Sequence, residues 1–354
     1  MTHFLQDILH QPAELRKSLT HTMGPGWLEL QRAAAAVREA DHVYIAAIGS
    51  SWNAGVAVQH MFHAHRCPAH LVDAAEFVHF VQLPPKSVIL TISRSGRSIE
   101  IVQMLSKARQ TGAVVIGLTN TPDSPLARES GITLLMNAAF DHQVSVTMYT
   151  APAMIGALLA LLSVNRITAT DAHALTEALI ATEESLAAWQ SAIEESDWLA
   201  PEATYYFLAR GASLSSCYEA KLLWEEAAKS PAAAMGTGAF RHGPQEMITP
   251  GLRIGLWIDG GAMREQDLAL AHDLVQLGAK VMLVGQRLEA GAADLVLSLP
   301  PVPPQWQFLI DGIPAQLAAE RLAHLRGVDC DAFRLCSYIV EGEGGLLPAT
   351  VDHA

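Results

Sequence analysis

The feature that most constrains this chain is a run of short apolar segments alternating with helical ones, which then starts over more than a hundred residues later. His42–Ile48, Ser87–Ser93, Val114–Thr119 and Ile132–Met136 read as buried strands, with helices over Asn53–His65 and Ser98–Thr111 between them. A second set follows at Thr204–Ala209, Arg253–Ile258, Lys280–Val284 and Asp294–Leu299. Strands separated by helices indicate a parallel sheet covered on both faces.

The internal spacing repeats as well. Gly49 to Phe77 spans 28 positions and Gly211 to Phe240 spans 29, while Ser93 to Val114 spans 21 and Asp259 to Val281 spans 22. Such a period is too long for a solenoid and indicates two copies of one domain. The expected fold class is therefore α/β, with two tandem domains, each a doubly wound, flavodoxin-like parallel sheet flanked by helices. Between them, residues 166–196 are rich in Ala, Leu and Glu with a helical period, and read as a connector. The most apolar stretch, Ala151–Val164, begins beside Pro152 and is too short for a confident membrane span; it reads as a buried helix.

Half of the 354 residues are hydrophobic and 17% are charged, enough core for two modest domains. A net charge of −13 disfavours nucleic acid and anionic membranes as partners. It still leaves room for a small anion, because backbone amides and hydroxyls can bind one locally on an acidic protein. The cysteines Cys67, Cys217, Cys330 and Cys336 are scattered, and the N-terminus is amphipathic without an apolar signal core. Both point to a reduced, cytoplasmic setting.

Two junctions stand out. Gly49-Ser50-Ser51 follows one strand and opens a helix; Ser93-Arg94-Ser95-Gly96-Arg97-Ser98 does the same one strand later. Free N–H groups and the helix dipole favour an anion there, and serine hydroxyls add donors. The same serines could simply cap helices, with Gly96 shaping a turn. In the second copy Glu219 and Glu226 lie seven apart on one helix face beside Leu222 and Leu223, and His242 follows sixteen residues after Glu226. Burial among leucines would raise a carboxylate pKa towards that of a general base, although a solvated Glu and an incidental His are the commoner reading of such spacing. His60, His63 and His65 cluster, but no carboxylate or cysteine completes a metal-ligand spacing, so neither metal nor cofactor is expected. A GxSxG nucleophile elbow is also missing.

AAIGSSWNAG, DAAEF, ISRSGRSIE and GLTNTPDSPLARES, in that order, resemble the first lobe of the sugar isomerase (SIS) family, as found in the isomerase domains of glucosamine-6-phosphate synthases. FLARG, the helix of Glu219 and Glu226, and GAFRHGPQEMI resemble the second lobe, and the opening QDILHQP resembles the segment that leads into it. The resemblance divides the chain into an opening segment 1–25, SIS lobe 1 over 26–165, a connector 166–200, SIS lobe 2 over 201–328 and a tail 329–354. It implies that Ser50, Ser51, Ser93, Ser95 and Ser98 bind a sugar phosphate, with Arg94 where the synthases place a glutamine. It implies that Glu226 moves a proton between C1 and C2. It also implies that His242 helps to open the sugar ring from a neighbouring subunit, so that a homodimer shares its active sites.

Departures narrow the expectation. The sequence opens at Met1-Thr2 without a glutaminase domain, contains no lysine after Lys280 to stand for the synthases' imine-forming tail lysine, and carries Leu222-Leu223-Trp224-Glu225-Glu226 in place of their lysine-rich helix motif. The expected activity is aldose–ketose isomerisation with deamination of an amino-sugar 6-phosphate. The alternatives are a deglycase of 6-phosphorylated fructosamines and a non-catalytic sugar-phosphate sensor. The short N-terminal segment, the acidic charge, and the presence of both Glu226 and His242 speak against the sensor.

Overall fold

The computed structural model describes residues 1–340 and 342–344; the end of the expected tail, 345–354, and residue 341 lie outside the described residues. Two helices, α1 (His3–Met23) and α2 (Trp27–Glu39), precede the first sheet. The first lobe then runs β1 (His42–Ala47), α3 (Ser50–Ala64), β2 (Ala69–Asp73), α4 (Ala74–Phe80), β3 (Ser87–Ile92) and α5 (Ile99–Thr111). It continues through β4 (Val114–Thr119), α6 (Pro125–Glu129), β5 (Ile132–Leu135) and α7 (Thr147–Ser163). After α8 (Ala169–Glu195) the second lobe runs β6 (Tyr205–Ala209), α9 (Leu214–Glu226), β7 (Ala232–Gly236), α10 (Thr237–Phe240) and β8 (Arg253–Trp257). It closes with α11 (Arg264–Gln276), β9 (Lys280–Gln286), β10 (Leu295–Leu299) and α12 (Ile313–Arg326).

Both sheets are parallel and five-stranded. Their orders, β2-β1-β3-β4-β5 and β7-β6-β8-β9-β10, are the same order taken twice. The chain is thus two tandem doubly wound α/β domains. The central strand β3 is buried at all six positions, which is why its sequence is a continuous apolar run with no alternation. Edge strands β2 and β7 were not expected from the sequence. Their segments, AHLVD and AAAMG, are short and mostly half-exposed, and carry neither a run nor a period of two.

The Ala151–Val164 stretch lies in α7, which is buried at nearly every position, as an all-round apolar helix in a core must be. The carboxylate of Asp141 takes N–H donations from Val146 (2.7 Å), Thr147 (3.1 Å) and Met148 (2.8 Å), satisfying the orphan amides at its start. α3 packs against α7 and against α9 of the other lobe, so the lobes meet through the helix that follows the first serine turn. Among the described residues no helix is long and apolar enough to cross a membrane, and all four cysteines are free thiols.

Candidate active site

The two serine turns leave the carboxyl ends of β1 and β3, adjacent strands from which the chain winds off in opposite directions. A crevice forms at such a switch point, and ligands of doubly wound sheets gather there. α3 begins at Ser50, three residues earlier than expected from the sequence, so Ser50 and Ser51 form its first turn. Its N-cap is Gly49 at φ +60°, a left-handed conformation that side chains resist. The second turn depends on Gly96 in the same way. At φ +61°, a Cβ on Gly96 would come within 2.4 Å of Ser124 Oγ and 2.9 Å of Leu126 Cβ.

A cavity of about 210 Å³ opens between these turns. Ser50, Ser51, Ser93, Arg94, Ser95 and Ser98 all line it, and so does Glu226 from the other lobe. Seven of the eight residues to which the resemblance gives a role therefore share one cavity. His242 does not line it; it is exposed, just beyond α10.

The hydroxyls are not equivalent. Ser93 Oγ accepts the Gly96 N–H at 3.1 Å and Ser95 Oγ the Arg97 N–H at 3.3 Å, leaving each its own proton to donate. Ser98 is the N-cap of α5 yet makes no capping bond with its side chain. Ser50 differs, because its hydroxyl donates to Glu219 Oε1 at 2.8 Å. While Glu219 accepts it that proton is committed, and Ser50 then offers a ligand its backbone amide at the start of α3.

Glu219 is 2% exposed and also accepts from Asn53 Nδ2 at 2.8 Å. Burial pushes its carboxyl up to about 8, against the pull of those two donors. The polar chain continues inward. Ser215 Oγ donates to the Asn53 carbonyl (2.7 Å), Tyr149 OH bonds Ser215 Oγ and Ser216 Oγ, and Asp311 accepts from Ser213 (2.6 Å) and Ser216 (2.5 Å). Every member is paired, which is how a buried polar network avoids an unmet desolvation cost.

Glu226, at the last position of α9, is half-buried. Burial raises its carboxyl to about 7, while the charges of Arg94 and Lys229 oppose the rise. A carboxyl divided between both forms near neutrality can take a proton and return it. Arg94 is already engaged by the protein. Its guanidinium donates to the Gln143 carbonyl, Ser145 Oγ and the Tyr338 carbonyl, each at 3.2 Å, and stacks 4.0 Å over the Tyr338 ring.

Sequence reasoning missed part of the lining: Glu100 on α5, Gln143 and Ser145 before α7, and the tail residues Phe333, Cys336 and Tyr338. Glu100 carried a faint signal, as an acid in the first turn after the Ser98 junction. The others are loop residues brought in by long-range packing. His63 Nε2 and His65 Nδ1 each bond a backbone carbonyl at 2.9 Å, and no group of three potential ligands occurs among the described residues.

Residues 36–162 match the family model of the SIS domain. Over 342 residues, covering 93% of the chain, it is 28% identical to the glutamine–fructose-6-phosphate aminotransferase (isomerizing) of Bacillus licheniformis. It spans 56% of that relative's length. Among solved structures, the C-terminal domain of glucosamine-fructose-6-phosphate aminotransferase from Francisella tularensis superimposes with a TM-score of 0.85 at 22% identity, covering 94% of this chain and 98% of that one. A glucosamine-6-phosphate deaminase from Thermotoga maritima gives 0.79 at 21%, covering 96% and 99%. At these identities the structural matches establish the shared fold.

Proposed function

We propose that this chain, whose residues 36–162 match the SIS domain model, is a sugar-phosphate isomerase-type enzyme that deaminates an amino-sugar 6-phosphate. One observation carries the reading: the serine turns of lobe 1 and Glu226 of lobe 2 line the same cavity. A helix-terminus anion site beside a carboxyl of near-neutral pKa suits a substrate with a phosphate at one end and an acidic C–H at the other.

The turns hold the phosphate, and its binding energy fixes C1 and C2 against Glu226. With the ring open, the Glu226 carboxylate takes the C2 proton of the aldehyde form while O1 gains a proton, giving an enolamine, and then delivers a proton to C1 while the C2 nitrogen loses one. The result is a ketimine at C2, which water hydrolyses to the ketose with loss of ammonia. Carbon 2 is oxidised and carbon 1 reduced, so no external redox partner is needed. His242 assists ring opening from a second copy of the chain, a role that its exposure and its separation from the cavity favour.

The deaminase reading accords with the Thermotoga relative and with the lack of any lysine between Lys280 and the end of the sequence. A deglycase of 6-phosphorylated fructosamines would share the proton transfer and differ in the amine that leaves. A coupled assay separates them: ammonia released from a hexosamine 6-phosphate is the expected result. Release of an amino acid from a fructosamine 6-phosphate, with no ammonia from the hexosamine, would replace it by the deglycase. Stabilisation by sugar phosphates without turnover of any would make the protein a sensor.

A further inference from the structure

Just past the end of α9, Lys229 adopts φ +52°, the left-handed region where glycine is at ease and a branched Cα is not. Such a conformation persists only where the surroundings hold the residue in it. The Lys229 ammonium donates to the carbonyl of Glu226 at the helix end and to the carbonyl of Ala332 in the tail (2.9 Å). The tail it grips forms one wall of the cavity through Phe333, Cys336 and Tyr338. Farther along, the tail is held a second time, by Arg94 on the Tyr338 carbonyl and by Val340, whose carbonyl accepts the Ile99 N–H at 3.1 Å.

We propose that Lys229 is a positioning residue of the site, tying the tail wall of the cavity to the end of the helix that carries the general base. This rests on the reading of Glu226 as that base. The Lys229 charge also favours the carboxylate form of Glu226. Other groups face this pair on every side. Arg94 approaches Glu226 from lobe 1, Glu225 from its own helix and Cys336 from the tail. Asp329, Cys330 and Arg334 face Lys229 from the tail, and Arg326 of α12 donates to its carbonyl. Of the two cations facing Glu226, Arg94 lies in the cavity wall, whereas Lys229 acts from behind the helix end.

Three variants test the role. Lys229→Gly relieves the backbone strain while removing the clasp, Lys229→Met removes the charge and its hydrogen bonds but keeps the strain, and Lys229→Arg keeps the charge and a donor. Arg334 is an exposed tryptic site within the held segment. Nicking after Arg334, read by intact mass, should quicken about fivefold or more in the Gly and Met variants and stay near wild type in Lys229→Arg. With a sugar phosphate that the wild type turns over, the acid limb of kcat/KM should move up by about half a pH unit or more in the Met variant, because the base is harder to ionise without the cation. Lys229→Arg should restore it. Wild-type nicking in both Gly and Met overturns the clasp, and an unmoved limb overturns the electrostatic part. Should the wild type turn over no sugar phosphate, the catalytic reading fails while nicking still decides the clasp.

Discussion

Glu226 and Glu219 sit seven residues apart on one helix, and burial moves both carboxyls upward, yet they face different neighbours. Glu226 lines the cavity and faces two cations, Arg94 within it and Lys229 behind the helix end, whereas Glu219 faces two neutral donors. Glu226→Gln removes the proton acceptor and keeps the shape, so turnover should fall roughly 100-fold to 10,000-fold with sugar-phosphate binding nearly intact. Steady-state kinetics paired with titration calorimetry reads both quantities. For Glu219 the sign of the pH dependence follows from its raised folded-state pKa. The stability it contributes is complete below about 4.5 and is lost as pH rises through about 8. Glu219→Gln mimics the protonated form, donating to Ser50 and accepting from Asn53. Its melting temperature should match wild type at pH 5 and exceed it at pH 9; a variant less stable at pH 9 would mean that the ionised form is the one the fold prefers.

At the scale of elements, the strand-to-helix turns are held by backbone geometry as much as by hydroxyls. Gly96→Ala places a methyl group against Ser124 and Leu126 in a left-handed conformation. It should cost about 2 kcal/mol or more in chemical denaturation and weaken phosphate binding with it. These turns were legible in the sequence because Gly and Ser punctuate the change from an apolar run to a helical period. The central strands were legible because burial on both faces demands continuous apolar residues. Edge strands β2 and β7 were not, since a half-exposed edge of Ala, His and Asp has no such demand on it. Nor were the tail residues of the cavity wall, because the tail is held by contacts far apart in sequence, 103 residues for Lys229 to Ala332 and 244 for Arg94 to Tyr338. Arg94 was legible as a cation at the site, but its grip on the tail was not.

For the molecule as a whole, one sheet order is used twice and the lobes do different work. Lobe 1 presents the serine turns and lobe 2 the carboxyl, with a paired polar network from Ser50 to Asp311 fixing one against the other. If a second copy supplies His242, two inactive variants should complement each other. Mixing Glu226→Gln with His242→Ala in equal amounts after subunit exchange should restore about a quarter of wild-type activity, because half of the dimers then hold one intact site. A mixture as inactive as its parents would place the imidazole elsewhere. The most direct test of the central claim follows the carbon-bound protons at C1 and C2 of glucosamine 6-phosphate by NMR in D₂O, at matched occupancy of wild type and Glu226→Gln. The expected result is loss of the C2 proton, with the hydrogen gained at C1 of the ketose drawn from C2 or from solvent, with the wild type and no loss with the variant; equal loss in both, or none with a saturated wild type, would contradict the claim that one cavity joins phosphate anchoring to proton transfer by Glu226.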